Sequence, residues 1–163
     1  MRWAHYSGEL TDYKTTEPEV FKGAKASAIM MGVEGQTFFR LRISGVKKTA
    51  VGGKYGVHLH QGTCDAKDFN LAGPHYNVTW NPQTKLMDLV SNKTEVWLDV
   101  DVNAYGNALS TATVPFIPEG QRSIVLHAEP TKQQSTDPLK PVGWAGTRLA
   151  CLPFNIKSFP STA

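Results

Sequence analysis

The chain has 163 residues and a mass of 17.9 kDa, the size of one domain with its own apolar core. Hydrophobic residues make up 40% and charged residues 19%, which excludes a disordered chain. The net charge of +3 is too small for a nucleic-acid-binding surface, but it suits a small anionic substrate. No apolar run approaches the roughly 18 residues of a membrane span, and the first residues do not begin a signal peptide. We therefore expect one domain over 1–163, without a nucleic-acid partner or a membrane span.

The composition and the hydrophobic pattern both favour strands. The chain has thirteen valines, fifteen threonines and five isoleucines, which suit pleated sheets, and no segment keeps a helical period. The first twenty residues predict only a frayed strand before a turn at 17–19. Period-two alternation predicts strands at 24–30 and 37–43, and further strand candidates lie at 55–60, 94–102, 107–114 and 123–127.

Two connections are much longer than the turns between the other strands. They cover about 61–93 and 128–146 and are rich in proline, glycine and polar residues. Loops of this length inside a compact domain are usually functional or disordered. Many short strands with two long loops predict an all-β sandwich or barrel.

The histidines are the first candidates for chemistry. His58 and His60 are two residues apart on a predicted strand, so both imidazoles lie on one face of it. His75 lies in the first long loop, and His127 ends an apolar strand. A set of imidazoles without thiolates favours copper or zinc. Unrelated buried or surface histidines remain the alternative at this point.

The two cysteines, Cys64 and Cys151, are too far apart in sequence for a Cys-x-x-Cys motif. They are either two buried free thiols or a disulfide. A disulfide would attach the first long loop to the last strand.

Five motifs occur in one order along the chain, and together they resemble the copper/zinc superoxide dismutases over about residues 24–152. The motifs are GVHLHQG at 56–62, Cys64, AGPHYN at 72–77, SIVLHA at 123–128 and GTRLAC at 146–151. The resemblance implies an eight-stranded antiparallel Greek-key β-barrel whose two long loops form the active-site wall.

The same resemblance implies roles for particular residues. The copper ligands would be His58, His60, His75 and His127. Cys64 and Cys151 would form the disulfide within the subunit. Arg148 would attract and orient superoxide, and His75 would leave the metal on reduction and carry a proton.

One departure from the family pattern concerns zinc. In the zinc-containing members, the counterpart of His75 bridges to a zinc ion that also takes two further histidines and an aspartate. Here no histidine lies between His75 and His127, and only His5 is left over. Scattered carboxylates with one histidine make a poor structural zinc site. We therefore expect one copper ion and no zinc, as in the copper-only branch of the family.

Without zinc, the second ring nitrogen of His75 needs another partner, because metal-bound histidines normally donate that N–H to a carboxylate or carbonyl. Glu95 is the first candidate for this partner and Asp99 the second. An exposed acid at a strand edge is the alternative interpretation of Glu95.

The leading hypothesis is a copper-only superoxide dismutase, which converts superoxide to dioxygen and hydrogen peroxide. The second hypothesis is a non-catalytic copper-binding module, for storage or delivery, in a larger extracellular protein. In a further form of the first hypothesis, the chain is one repeat of a copper-only superoxide dismutase repeat protein. Zinc in the copper site would give a redox-silent protein.

Location and assembly are predicted from weaker signals. Two Asn-x-Thr sequons, at Asn77 and Asn92, and the expected disulfide favour an extracellular or secreted protein. Asn77 is expected to be engaged inside the metal loop. Pro153 is expected to break strand pairing in the tail at 152–156, which departs from the family and favours a monomer.

Overall fold

The computed structural model describes residues 1–50 and 52–160, and the fold of these residues is all-β. Their strands are β1 (Arg2–Glu9), β2 (Thr11–Asp12), β3 (Lys25–Val33), β4 (Gln36–Ser44), β5 (Lys54–Tyr55), β6 (Val57–His60), β7 (Trp80–Asn81), β8 (Leu86–Met87), β9 (Val100–Asp101), β10 (Ala108–Val114), β11 (Gly120–His127) and β12 (Arg148–Ser158). Two short 3-10 helices, Lys48–Ala50 and Phe69–Ala72, lie in connections.

The predicted alternation of apolar residues is confirmed in β3 and β4, which form an antiparallel pair. Ala28 pairs with Leu41 and Met30 with Phe39, and all four side chains are buried in the core. The residues between them face outward, as a period of two requires. The hydrophobic pattern therefore fixes which face of this hairpin packs inward.

The main sheet is antiparallel and has eight strands, with the order β10-β4-β3-β1-β12-β11-β6 and β2 paired to β12. The sheet curls around one apolar core, which confirms the predicted all-β architecture. Beyond β6, the segment 96–98 continues the pairing, because Leu59 N–H donates to Val96 O at 3.3 Å and Leu98 N–H donates to Val57 O at 2.7 Å. The predicted strand at 94–102 is thus only partly regular, with β9 as its one assigned strand. Closure by Greek-key connections stays a prediction.

Two expectations for the ends of the chain were wrong. The first strand is not frayed, since all eight residues of β1 pair with β3. Pro153 does not break the last strand, since β12 runs through it and Pro153 pairs in register with Ser123 of β11. On its other edge, β12 pairs with β2 only at 150–151 and with β1 only at 157–158. Pro153 lies between these two stretches, where no strand needs its missing N–H.

The two long loops follow two neighbouring antiparallel strands and leave from opposite ends of that pair. β6 ends at His60 and β11 at His127, and the two strands pair directly. The first loop contains the Phe69–Ala72 turn and the small β7–β8 hairpin, whereas residues 128–147 form no regular element. Both loops fold back over one outer face of the sheet, since Gly73 of the first loop contacts His60 and Thr131 of the second contacts His58. None of the described helices has the length and apolarity needed to cross a membrane.

Candidate metal centre

β6 is buried on both faces, because the core covers one face and the loops cover the other. Val57 and Leu59 belong to the apolar core, while His58 and His60 point to the loop side and are fully buried. In β11, Val125 pairs with His58 and lies on the same face as His127, two residues later. The alternation of two adjacent strands thus brings three histidines to one place.

The fourth histidine is positioned by backbone hydrogen bonds between the first loop and β6. Gln61 N–H donates to Pro74 O at 2.9 Å, and Tyr76 N–H donates to Leu59 O at 2.8 Å. These bonds hold the intervening His75 beside His60, with which it forms an isolated β-bridge. The loop therefore adds its imidazole from the open edge of the site.

The four imidazoles form a compact set of nitrogen donors. His58, His60, His75 and His127 each offer one nitrogen, and these nitrogens all lie within 4.8 Å of one another. His60 Nε2 and His127 Nε2 are 3.1 Å apart. Among the described residues, this is the one group of histidine, cysteine or acidic side chains that could hold a metal ion.

The other nitrogen of each ring has a protein acceptor, which identifies the nitrogen that is free to bind a metal. His60 Nδ1–H donates to Gly73 O at 2.9 Å, and His127 Nδ1–H donates to Gly146 O at 3.1 Å. His58 is reversed: its Nε2–H donates to Thr131 Oγ1 at 2.6 Å, and its buried Nδ1 has no partner among the described residues. A buried nitrogen without a partner is costly unless a ligand occupies it. The donor set therefore fits a metal ion bound by Nδ1 of His58 and by Nε2 of the others.

Burial keeps three of the four histidines neutral. It lowers the pKa of His58 and of His60 well below the usual range, and it lowers the pKa of His127 to about 3. The neighbouring histidines lower these values further, because two charged rings would repel each other. Neutral imidazole is the form that binds a transition metal.

These lowered pKa values predict that the metal-free fold is sensitive to acid. Below the usual histidine pKa of 6.5, the unfolded chain takes up protons that the folded chain does not. Stability is therefore complete above about pH 6.5 and falls below it, by up to about 1.4 kcal/mol per pH unit for each such histidine. We expect the thermal unfolding midpoint of the metal-free protein to decrease as the pH is lowered from about 7 to about 5. The variant His5→Ala, which removes an exposed histidine, should show the same pH dependence as the wild type. A wild-type unfolding midpoint that does not change with pH would contradict the account.

Glu95 lies directly behind His75. Its Oε1 accepts from His75 Nδ1–H at 2.8 Å and from Trp97 Nε1–H at 3.0 Å, and its Oε2 accepts from Asn77 Nδ2–H at 3.0 Å. Burial alone would raise the pKa of this carboxyl, but the three hydrogen bonds and the charge of His75 outweigh burial and lower its pKa. Glu95 is thus a buried carboxylate with only 1% exposure, not an exposed acid at a strand edge. Its role at the metal stays a prediction.

Asn77 is engaged inside the loop. Besides its bond to Glu95, its Nδ2 donates to Leu89 O at 2.8 Å, and its Oδ1 accepts from the backbone and hydroxyl of Thr79. Asn92 of the second sequon is exposed. The side chain of Asn77 is therefore needed for the local structure, and sequence patterns alone did not reveal its contact with Glu95.

Asp99 does not lie against His75, so the second candidate partner for that ring was wrong. Its Oδ1 accepts from the Thr131 hydroxyl at 2.6 Å and from Val57 N–H at 3.2 Å, and its Oδ2 accepts from Thr131 N–H at 2.9 Å. Asp99 therefore acts on His58, through Thr131. Asp99 lies four residues after Glu95 in an extended segment. It therefore reaches the His58 side of the histidine cluster, whereas Glu95 lies on the His75 side.

Thr131 is the polar residue that the sequence analysis missed. It is buried, and its hydroxyl accepts from His58 and donates to Asp99. A single threonine in a proline-rich loop carries no motif that could have identified it.

Removing the Thr131 hydroxyl is expected to weaken metal binding by the four histidines. Thr131→Val keeps the shape but leaves His58 Nε2–H without a partner and takes one hydrogen bond from Asp99. Loss of such a supporting contact lowers metal affinity by about 10–100-fold. Competition with a coloured copper chelator measures the change. Thr131→Ser keeps the hydroxyl and should bind like the wild type, whereas equal affinity of the valine variant would refute the role.

Arg148 begins β12 opposite His127, at an irregularity in the register between Leu126 and His127. Its Nη1 donates to Phe69 O at 2.7 Å and its Nη2 donates to Gly73 O at 2.6 Å. Gly73 O also accepts from His60, so one carbonyl connects the guanidinium to the metal centre. Burial lowers the pKa of Arg148. Because the ordinary pKa of arginine is very high, the guanidinium nevertheless stays charged.

The two cysteines form a disulfide, and no cysteine is free. Their Cα atoms are 5.9 Å apart, and Cys151 is fully buried beside Tyr13, Ala72 and Val125. The bond attaches the first loop to β12 three residues after Arg148. It thereby fixes the distance between the arginine and the loop that carries its carbonyl acceptors.

A curled antiparallel sheet whose loops cover four clustered histidines is typical of an all-β protein that can hold a metal ion. Comparison with protein families gives a match to the copper/zinc superoxide dismutase model over residues 31–152. The chain therefore belongs to the copper/zinc superoxide dismutase family, whose members act on superoxide. A comparison with curated proteins gives no match.

Proposed function

We propose that this protein is a copper-dependent superoxide dismutase that works without a zinc site. The observation that carries the proposal is the cluster of four imidazoles together with a carboxylate behind His75. Copper, when bound, would supply a centre that one superoxide reduces and a second superoxide oxidises. Imidazole nitrogens suit both oxidation states of copper.

The environment of His75 supports the absence of zinc. Its Nδ1, the nitrogen that faces zinc in the zinc-containing relatives, donates to Glu95 at 2.8 Å. Glu95 also accepts hydrogen bonds from Trp97 and Asn77, which hold the carboxylate in place. A zinc ion at this nitrogen would have to displace its hydrogen bond to Glu95, and no second cluster of ligands lies among the described residues.

His75 is also the ligand best suited to hold an extra proton. The other three rings donate to a carbonyl or a hydroxyl, whereas His75 donates to a carboxylate. A carboxylate stabilises the imidazolium, and its net hydrogen bond is worth about 1.5–3 kcal/mol. We infer that His75 takes up a proton at Nε2 and delivers it to the departing product while Glu95 balances the charge.

Glu95→Gln is expected to lower kcat/KM by about 10-fold, with the larger loss at alkaline pH. The amide still accepts a hydrogen bond but carries no charge, so His75 holds a second proton less readily. The measurement is kcat/KM for superoxide between about pH 6 and about pH 9. The exposed variant Glu9→Gln is the matched control, and a Glu95→Gln profile equal to that of the wild type would contradict the proton role.

Arg148 is the residue that we assign to the substrate. At about 6 Å and an effective dielectric constant near 20, an arginine attracts a univalent anion by roughly 2–3 kcal/mol. Because two carbonyls hold the guanidinium, its direction toward the histidines is fixed. The mild positive charge of the whole chain adds a weaker attraction.

The test of the proposal compares superoxide consumption before and after copper is added to the metal-free protein. We expect turnover to rise with bound copper up to one equivalent, and His127→Ala to lose both tight binding and turnover. Stoichiometric copper without turnover would instead support a storage or delivery module. The disulfide further supports an oxidising compartment, which agrees with a secreted protein.

A further inference from the structure

The segment 11–15 lies outside the family match and runs along the start of β12. Thr11 and Asp12 pair with Cys151 and Ala150, Tyr13 N–H donates to Leu149 O at 3.0 Å, and the Thr15 hydroxyl donates to Arg148 O. Each residue of β12 from 148 to 151 is thereby attached to this segment. It holds the backbone from which the active-site arginine projects.

Tyr13 also packs against the loop segment that carries the carbonyl acceptors of Arg148. Its ring is buried, with 6% exposure, and packs with Ala72 and the Cys64–Cys151 disulfide. It also meets the Phe69 ring edge-on at a centroid distance of 6.1 Å. Phe69 and Ala72 bound the short helix, and Arg148 donates to the carbonyls of Phe69 and of Gly73, the residue that follows the helix. The ring thus lies beneath the acceptors, while the backbone of the same residue holds β12.

We propose that Tyr13 is a positioning residue for Arg148, acting through the Phe69–Gly73 segment and not by touching substrate. The ring performs this role, because the hydroxyl is buried without a hydrogen-bond partner among the described residues. The guanidinium and the phenol lie close enough that the charge of Arg148 acts on the pKa of Tyr13, which burial raises. The role rests on the proposed function of Arg148, but the contacts themselves do not depend on copper.

The test uses three variants. Tyr13→Ala removes the ring, Tyr13→Phe removes only the hydroxyl, and Tyr13→Leu keeps bulk in case the alanine variant does not fold. Tyr6→Ala is the matched control, since Tyr6 is a partly buried tyrosine of β1 that packs against the core elsewhere. The first readout is the exchange of the Arg148 guanidinium N–H protons with solvent, measured by NMR on the metal-free protein.

We expect this exchange to be about 10-fold faster in Tyr13→Ala than in the wild type. It should be faster to a smaller extent in Tyr13→Leu. It should be unchanged in Tyr13→Phe and in Tyr6→Ala. Exchange that stays as in the wild type in both the alanine and leucine variants would overturn the proposal. A change in Tyr13→Phe as large as in Tyr13→Ala would also overturn it, because the hydroxyl would then be responsible.

The second readout is azide binding to the copper-loaded protein, followed by its optical spectrum. Tyr13→Ala should weaken azide binding by about 10-fold with the copper content unchanged. In the Arg148→Ala background the same substitution should have no further effect, because Tyr13 acts through the arginine. Equal losses in both backgrounds would overturn the proposal. A wild-type protein that takes up no copper would count against the proposed function, while the exchange measurement would still decide the role of Tyr13.

Discussion

Arg148→Ala is expected to lower kcat/KM for superoxide by about one to two orders of magnitude, with copper still bound at one equivalent. The loss corresponds to the roughly 2–3 kcal/mol by which the guanidinium attracts the anion. Copper stays bound because none of the four histidines depends on Arg148 for its own hydrogen bond. Gly73 O loses one of its two donors but keeps His60.

Two controls separate local attraction from net charge. Arg42→Ala removes the same charge from the exposed outer face of β4, so its activity should stay within about 2-fold of the wild type. Arg148→Lys keeps the charge but not the planar fork that two carbonyls hold, so it should be intermediate. Full activity of Arg148→Ala would contradict the assigned role, and loss of copper would show that the arginine is structural.

Removing the disulfide is expected to cause the largest loss of stability. The bond closes a loop with a sequence separation of 87 residues, and the chain-entropy model gives about 4–5 kcal/mol for it. Because Cys151 is fully buried, alanine is the suitable replacement there, and serine suits the half-buried Cys64. Urea unfolding of the metal-free double variant measures the free energy of unfolding.

The reduced wild-type protein is the natural comparison for this double variant. Both should unfold at similarly low urea concentrations, since both lack the same link between the first loop and β12. The variant should also show faster exchange of the Arg148 guanidinium protons, because the loop carries its acceptors. A loss of stability below about 1 kcal/mol would contradict the account.

The regular parts of the fold could be predicted because their side chains alternate. In β3 and β4 every second residue is apolar, and a shift of register by one residue would expose the whole core face. The histidine pair of β6 follows the same period of two. The motifs around His75, His127 and Arg148 then identified the remaining members of the candidate site.

The parts that could not be predicted depend on contacts between distant segments. Thr131 reaches His58 and Asp99 only because the second loop folds back over β6, and an isolated threonine gives no sign of this. Pro153 is tolerated because of a gap in the pairing of β12, which only the sheet order reveals. Asp99 was assigned to the wrong histidine because sequence distance does not show on which side of the cluster a carboxylate lies.

The most direct measurement is superoxide consumption by protein that holds one equivalent of copper and no zinc, with the metal content determined on the same sample. The account predicts fast turnover that depends on copper and does not rise when zinc is added. Negligible turnover with copper bound stoichiometrically, or turnover that appears only after zinc is added, would contradict it.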